Sequence, residues 1–233
     1  MKTKGIFAIA MIFLSLTGAS AQSNIIFGGF NFPNGKFKGD DYTKVVVLDQ
    51  GKEGGAGMGF NLGYKFLSPI SNQFNWFLSA ELFYNGLNSE IKDDVEDLAD
   101  KSGMDINKFP SYLNAPVIGG LNYSFANLNP DLSLWAEVGA GLNFRFLTDY
   151  AYERGENETT LSYNTNFLFA YQLGVGVMVK NKFTIGIHYY DLGSEKLKGK
   201  YKEEDDSGKE KDDFKSSKPL DTSMLSIRVG FIF

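Results

Sequence analysis

The clearest structural signal in the chain is a strict alternation of side chains over Leu225-Ser226-Ile227-Arg228-Val229-Gly230-Phe231-Ile232-Phe233. Side chains of a β-strand point alternately to its two faces. One face of this stretch is therefore entirely apolar and ends in two phenylalanines, whereas the other carries a serine, an arginine and a glycine. The pattern is typical of a membrane barrel strand whose apolar face lies against lipid.

Other segments of the chain alternate in the same way. The regular ones span residues 57–66, 76–85, 113–125, 132–146, 167–179 and 183–190, and a less regular one spans residues 25–32. Together with the stretch above they predict eight strands. An even number of strands suits a closed barrel.

The connections between these segments alternate in length. Long connections cover residues 33–55, 86–110, 148–164 and 193–220, and short ones cover residues 67–73, 126–131 and 180–182. Outer-membrane barrels have short turns in the periplasm and long loops outside the cell. We therefore expect an up-and-down chain with both termini in the periplasm.

An alternative is a soluble secreted eight-stranded barrel or sandwich, in which the apolar parity faces inward. The other parity consists mainly of Gly, Asn, Ser and Ala with single charges. A water-exposed face would be rich in Lys, Glu and Thr, whereas this composition fits the narrow lumen of an eight-stranded barrel. We therefore predict an all-β fold: an eight-stranded antiparallel up-and-down transmembrane β-barrel with short periplasmic turns and long extracellular loops.

Residues 1–21 have the features of a secretory signal peptide. Lys2 and Lys4 precede an apolar run over residues 6–16, and Ala19-Ser20-Ala21 follows it. The run is too short for the alternative, a membrane anchor. We predict cleavage after Ala21 and one barrel domain over residues 22–233. The chain has no cysteine for a disulfide or a lipid anchor, and its formal net charge of −5 argues against nucleic acid as a partner.

Aromatic residues of the apolar parity gather at the predicted strand ends. Trp76, Phe125, Phe231 and Phe233 fall at periplasmic ends, where we expect them to form an interfacial girdle. A strand that stops on an aromatic residue resembles the last strand of bacterial outer-membrane proteins, whose terminal residue is read by the barrel-assembly machinery. The resemblance implies an outer-membrane location, with outer-membrane lipid and the barrel-assembly machinery as partners.

The lumen-facing parity carries polar and charged side chains of both signs. These are Lys65, Glu81, Glu137, Arg145, Gln172, His188 and Arg228. Buried charges are tolerated when they are paired, so we expect neighbouring and facing strands to join them in a network that plugs the barrel. The alternative is a proton or ion path, which the narrow lumen of eight strands disfavours. We expect no conducting pore.

His188 is the only histidine in the chain, so a Ser-His or His-Asp hydrolase or acyltransferase would need it as its base. Asp191 and Ser194 lie close to it in sequence. Because His188 lies in the middle of a strand and points inward, we expect it to belong to the lumen network, and we assign no catalytic residue. With one histidine and no cysteine, only an all-carboxylate metal site is open to the chain, and we predict no metal or other cofactor.

Two long connections have a composition of their own. Residues 89–101 place Ile91, Val95 and Leu98 at helical spacing before Gly103. This spacing predicts a short amphipathic helix over the outer mouth, with its apolar stripe on the barrel rim. Residues 203–213 balance acids and bases without the acid spacing of a calcium loop. They predict a solvated, mobile loop, with weak divalent-cation binding as the alternative.

Two short motifs point to a family. They are Gly59-Phe60-Asn61-Leu62-Gly63-Tyr64 and Tyr112-Leu113-Asn114-Ala115-Pro116-Val117. With the aromatic last strand, they resemble the small outer-membrane β-barrel family of Bacteroidota that includes PorT-like proteins. Asn114 stands where that family usually has an acid. The resemblance implies an eight-stranded barrel and, for some members, an accessory role in secretion.

These features predict a non-enzymatic integral outer-membrane protein with a plugged lumen. We expect it to act as a scaffold or an accessory subunit of an envelope complex, such as a secretion complex, with other envelope proteins as partners. One alternative is an enzyme that modifies outer-membrane lipid, of the lipid A acyltransferase or deacylase type, with His188 as its base. Another alternative is a narrow porin.

Overall fold

The structure, a computed structural model, describes residues 22–39, 53–129, 131–155, 157–204 and 210–233, so the predicted signal peptide lies outside the described residues. The described part contains eleven strands and two helices. The strands are β1 (Ser23–Asn34), β2 (Ala56–Pro69), β3 (Phe74–Leu87), β4 (Asp105–Lys108), β5 (Ser111–Asn129), β6 (Leu132–Leu147), β7 (Tyr150–Arg154), β8 (Asn157–Tyr163), β9 (Asn166–Val179), β10 (Phe183–Glu204) and β11 (Glu210–Ile232); the helices are α1 (Gly35–Lys38) and α2 (Ser89–Lys101). Neither helix is long and apolar enough to cross a membrane.

Eight of the strands form a closed antiparallel ring in the order β1-β2-β3-β5-β6-β9-β10-β11. The ring closes where β1 pairs with β11, from Ile25 opposite Ile232 to Asn34 opposite Ser223. The other three strands, β8, β7 and β4, continue the sheet from the far end of β10. The predicted all-β antiparallel class is confirmed, whereas the described chain has eleven strands, of which eight lie in the ring.

The two parities of the ring strands face opposite environments. On β9, Phe167, Phe169 and Leu173 are more than half exposed, whereas Leu168 and Gln172 between them are buried. The same alternation holds on β11, where Ile227 and Val229 are exposed and Ser226 and Arg228 are buried. A continuous apolar band of this kind needs a lipid cover. The soluble alternative, with the apolar parity inside, is wrong for this structure.

The short connections lie at one end of the ring, the turn end, and the long ones at the other, the loop end. One turn connects β9 to β10, and in it Lys182 N donates to Val179 O at 3.0 Å. Lys180 and Asn181 at its centre have φ values of 51° and 52°. Two central residues with positive φ are the mark of a type I′ hairpin turn, which matches the twist of the flanking strands.

Residues 148–164 and 193–220, two of the predicted long connections between ring strands, contain strands of their own. They contain β7 and β8, which pair with each other, and the outer parts of β10 and β11. β10 and β11 stay paired as far as Lys202 opposite Glu210. A bulge at Gly193, with φ of 92°, marks the point where β10 leaves β9 and later joins β8. The central part of the predicted mobile loop, residues 205–209, lies outside the described residues.

Apolar side chains close the ring at its loop end. We call this group the loop-end cap; it consists of Phe37, Ala56, Leu87, Ile91, Val95, Tyr112, Leu147, Leu192, Leu197, Leu220 and Met224, all buried. The ring of Phe37 on α1 packs edge-on against Tyr112, with centroids 5.0 Å apart. The cap is thus built jointly by the ring, the two helices and the outer parts of β10 and β11. Together with β8, β7 and β4, these outer parts form what we call the sheet extension.

Helix α2 has the bounds that the sequence predicts. Asn88 caps its start by accepting from Glu90 N at 3.2 Å, and Gly103, with φ of 66°, follows its end. Ile91 and Val95 are buried in the cap as expected. Leu98 is 46% exposed instead, because the buried stripe of the helix continues through Ala99.

Candidate functional site

The polar side chains of the lumen meet at Glu137, which is 6% exposed on β6. Its carboxylate accepts from Lys65 Nζ at 2.5 and 2.8 Å and from Gln172 Nε2 at 3.1 Å. Asn122 Nδ2 donates to it at 3.3 Å. Because β2, β5, β6 and β9 each contribute one of these side chains, a single carboxylate links four strands of the ring.

A second carboxylate, Glu81 on β3, binds across the lumen to the opposite wall. It accepts from Tyr190 Oη at 2.8 Å and from Arg228 Nη1 at 2.8 Å. Arg228 Nη1 also donates to Tyr190 Oη, and Arg228 Nη2 lies 3.5 Å from Glu137. Arg228 therefore joins the two carboxylates into one group, which we call the lumen cluster. Its members are Lys65, Glu81, Asn122, Glu137, Gln172, His188, Tyr190 and Arg228.

The cations of the lumen cluster also lie over aromatic rings. Lys65 Nζ is 4.8 Å from the ring centroid of Phe77, and the guanidinium carbon of Arg228 is 4.3 Å from that of Phe27. Both rings belong to the inward parity of their strands. Such contacts favour a buried cation further, so the cluster offers each charge both an opposite charge and a ring.

His188 is 2% exposed, and its Nε2 lies 2.9 Å from Glu137 Oε1. A carboxylate can only accept, so Nε2 carries the proton and donates. The side chains considered above as catalytic partners of His188 bind elsewhere: Ser194 Oγ donates to Asp221, and Asp191 Oδ1 accepts from Gly193 N at 2.9 Å.

Arg145, which the sequence assigns to the same network, lies apart from it near the loop end. Its Nη1 donates to Leu220 O and Thr222 Oγ1, both at 3.0 Å, and its Nη2 donates to Glu195 O at 3.4 Å. The side chain is fully buried. Arg145 thus joins β6 to the outer parts of β10 and β11, and the expected single network is two separate groups.

A cavity of about 240 Å³ lies between the lumen cluster and the turn end. Its lining includes Lys65, Glu137 and His188 at the inner side and the half-buried Ser23 at the outer side. No group of three or more His, Asp or Glu residues within the described ranges could hold a metal ion.

The predicted girdle residues lie at the turn end and face outward. Trp76 is 40% exposed, Phe125 51%, Phe231 48% and Phe233 57%. Phe233 also takes part in ring closure, because its N–H donates to Asn24 O at 2.9 Å and its carbonyl accepts from Asn24 N at 3.1 Å. The terminal aromatic residue therefore stands in the lipid-facing wall and in the β1–β11 ladder at once.

A sequence profile of the outer membrane protein beta-barrel domain matches residues 6–233. The chain belongs to the outer membrane protein beta-barrel family. No curated protein sequence matches it. Membership of this family gives the protein its location, the outer membrane, as the terminal strand predicts.

Several solved structures match the chain at low sequence identity. A major outer membrane protein from Thermus thermophilus is 12% identical with a TM-score of 0.52, over 92% of this chain and 100% of that chain. OprG from Pseudomonas aeruginosa is 14% identical with a TM-score of 0.45, over 93% and 98% of the two chains. Neisserial surface protein A is 14% identical with a TM-score of 0.43, over 92% and 98%.

Within this outer membrane protein beta-barrel, sequence reasoning missed two members of the lumen cluster. Tyr190 has inward parity next to His188, but an aromatic residue gives no sign of a charged partner. Asn122 has the same inward parity on β5, within the alternating segment of residues 113–125. Inward parity combined with a polar atom would have found both residues.

Proposed function

We propose that the protein is a non-conducting scaffold of the outer membrane that performs no catalysis and serves as an accessory subunit of an envelope complex. One observation carries this proposal: the loop-end cap closes the ring, with Phe37, Tyr112 and Met224 fully buried inside it. The lumen cluster fills the barrel below the cap. A barrel that is closed at these two levels has no channel through it, so it can act only through its outer surface.

Planar-bilayer recording tests the closed lumen. We expect no conductance steps from the wild-type protein. Exchange of Phe37 and Tyr112 for alanine, together with Glu137→Ala, removes both barriers and should produce steps. Phe167→Ala, a change of similar size on the lipid-facing wall, is the control. Regular steps from the wild type would favour the alternative of a narrow porin.

The surface offered at the loop end is a folded sheet. β8 pairs with β10 from Gly199 to Glu204, and β7 and β4 follow it. These strands lie beyond the lipid-facing ring, so the β7–β8 hairpin can be replaced by a short Asn-Gly turn with the ring pairing kept. We expect the shortened protein to assemble and to show a heat-dependent gel shift, but to lose envelope proteins that co-purify in stoichiometric amount.

The likeness to PorT-like proteins supports a secretion complex as the first candidate for that assembly. In cells that lack the protein, we expect the wild type to restore export of secreted cargo and the hairpin-shortened variant to fail. If the shortened variant restored export fully, the loop-end sheet would not be the surface that binds the secretion complex. A wild type that carries no stoichiometric partner would contradict the scaffold function itself.

The proposed orientation has the turn end in the periplasm. The chain has no cysteine of its own, so single cysteines report their position without background. A maleimide that cannot cross membranes should label Gly103→Cys, beside α2, on intact cells. Asn72→Cys, between β2 and β3, should be labelled only after the outer membrane is opened. The reverse result would invert the orientation.

A second candidate is a lipid-modifying enzyme with His188 as its base, favoured by the contact of His188 Nε2 with Glu137 Oε1 at 2.9 Å. A carboxylate that orients a histidine is part of many acyl-transfer sites. Against it, the cavity that reaches His188 lies at the turn end, far from the outer leaflet in the proposed orientation. We expect His188→Asn to leave lipid A unchanged in mass spectra. A modification that disappeared with the histidine would establish the enzyme.

A further inference from the structure

The cavity at the turn end has mainly apolar walls. Trp135, Phe27, Ile25, Leu67 and Ile232 line it. These side chains have inward parity or stand at strand ends where the ring opens toward the turns. Ligand sites are typically apolar cavities with a few polar groups, of roughly 300 to 1,000 Å³. At about 240 Å³, this one suits a small molecule.

The indole of Trp135 lies where glycines on β9 and β10 leave room for it. A Cβ atom on Gly176 would come within 2.4 Å of the indole, and one on Gly186 within 2.6 Å. The indole Nε1 donates to Thr184 Oγ1 at 3.1 Å, which fixes the ring. The cavity therefore has one rigid aromatic wall.

The inner end of the cavity is electrically balanced. Lys65, Arg228 and Glu137 line this end. The two positive charges contact the carboxylates of Glu137 and of Glu81, which lies behind the lining. A charged ligand would meet no unpaired opposite charge here and would lose its own hydration. The floor thus disfavours both anions and cations.

One polar atom of this floor has no partner among the described residues. His188 Nδ1 is buried without a hydrogen bond, although His188 lines the cavity. Because two cations already balance the two carboxylates, a neutral imidazole keeps the cluster balanced. With its proton on Nε2, facing Glu137, the neutral ring leaves Nδ1 as an acceptor. A buried acceptor without a donor is costly, and a hydroxyl group would satisfy it.

We propose that the cavity is a binding site for a small neutral amphiphile with an apolar body and one hydroxyl group. The molecule enters from the turn end, its body lies against Trp135, and its hydroxyl donates to His188 Nδ1. The site goes beyond the proposed scaffold function, whose partner surface lies at the loop end.

The chain allows a direct test because it has one histidine and only two tryptophans. In a Trp76→Phe background, fluorescence reports Trp135 alone, and ¹⁵N-histidine labelling gives one imidazole in nanodiscs. The probes are benzyl alcohol, toluene, benzoate and benzylammonium. We expect benzyl alcohol to change the fluorescence saturably and to shift Nδ1. It should bind about tenfold more tightly than toluene, as expected for one satisfied hydrogen bond. The two ions should not bind.

Two variants separate the cavity from dissolution of the probe in lipid. Ser124 lies opposite Trp135 in the β5–β6 ladder and lines the cavity, so Ser124→Phe should abolish the response without touching the lumen cluster. Val138→Phe adds a ring of the same size on the lipid-facing side and should leave the response unchanged. An equal response from both variants, or toluene binding as tightly as benzyl alcohol, would overturn the proposal.

Discussion

Two arginines are buried in the same barrel and are stabilised in different ways. Arg228 binds the carboxylates of Glu81 and Glu137 inside the lumen cluster. Arg145, near the loop end, donates to backbone carbonyls and the hydroxyl group of Thr222. The two side chains are 4% and 0% exposed, so burial alone does not explain the difference.

The difference follows from the backbone around each arginine. Around Arg228 the strands pair regularly, and their carbonyls are used by the ladder, so side chains of opposite charge must serve as partners. Around Arg145 the β10–β11 ladder shifts register twice between Asp191 and Lys198. Carbonyl oxygens there are open to a guanidinium. The lumen cluster therefore holds the ring together, whereas Arg145 holds the sheet extension on the ring.

The largest effect is expected from Glu137→Ala. The change leaves Lys65 and Arg228 short of one buried counter-charge, and breaking a buried pair in this way costs about 3 to 5 kcal/mol. Urea unfolding in detergent micelles measures the loss. Glu90→Ala on the exposed face of α2 is the control. If Glu137→Ala lowered the free energy of unfolding no more than the control does, the lumen cluster would not stabilise the ring.

The second effect concerns the loop-end cap. Phe37→Ala leaves a cavity beside Tyr112, and truncation of a buried phenylalanine costs about 3 kcal/mol or more. Because Phe37 belongs to α1 and not to the ring, we expect protease cleavage near α1 to rise while the heat-dependent gel shift of the barrel is kept. Loss of that gel shift would mean that cap and ring unfold as one unit.

Arg145→Met should have a smaller effect, about 1 to 3 kcal/mol for lost hydrogen bonds of a charged group. Hydrogen exchange should rise in the outer parts of β10 and β11, whereas amides around Arg228 stay protected. Arg145→Lys keeps the charge without the fork of donors, and we expect it to recover only part of the protection. Uniform exchange over the whole barrel would contradict the separation of the two groups.

The smallest effect is expected from an ion pair outside the lumen, between Lys36 Nζ on α1 and Asp221 Oδ2 at 2.8 Å. Hydrogen bonds from Lys36 and Ser194 lower the pKa of Asp221, so its contribution is present above the unfolded pKa and is lost as pH falls through the folded value. The hydrogen bond to Asp221 raises the pKa of Lys36, so that contribution is lost only as pH rises through its folded pKa. Asp221→Asn should lower the melting temperature slightly at pH 6, and the difference should shrink as pH falls below the ordinary aspartate value of about 3.9 and vanish only below the lowered folded pKa.

Much of the ring can be predicted from side-chain parity. Glu137 and Arg228 stand between apolar neighbours, so a period of two is enough to place both side chains in the lumen. Parity cannot tell which inward side chains meet across the lumen. Glu81 binds Tyr190 and Arg228 from the opposite wall, and that choice depends on strand stagger and tilt. The assignment of Arg145 to the same network is wrong for the same reason.

The strands of the sheet extension are not predicted, because lysines occupy the outward positions of their alternating pattern. Lys196, Lys198 and Lys200 alternate with Leu197 and Gly199, which are buried. This is a strand pattern with lysine in place of the lipid-facing residue, in a segment that lies beyond the part of β10 that pairs with β9. Alternating lysines are more typical of a solvated connection, and the sequence therefore predicts a long connection over residues 193–220. The error at Leu98 is different. The helix is predicted correctly, but its buried face runs through Ala99 and not through Leu98.

The open side of the sheet extension has a consequence for crowding in the membrane. A closed ring has no free edge, but within the described residues the extension ends in β4, which pairs there only with β7. β4 has only four residues, and α2 precedes it in the chain and packs beside it. A strand edge that is short and has a helix beside it is a poor template for edge-to-edge aggregation. Many copies can therefore stand side by side in the outer membrane without their extensions joining into fibres.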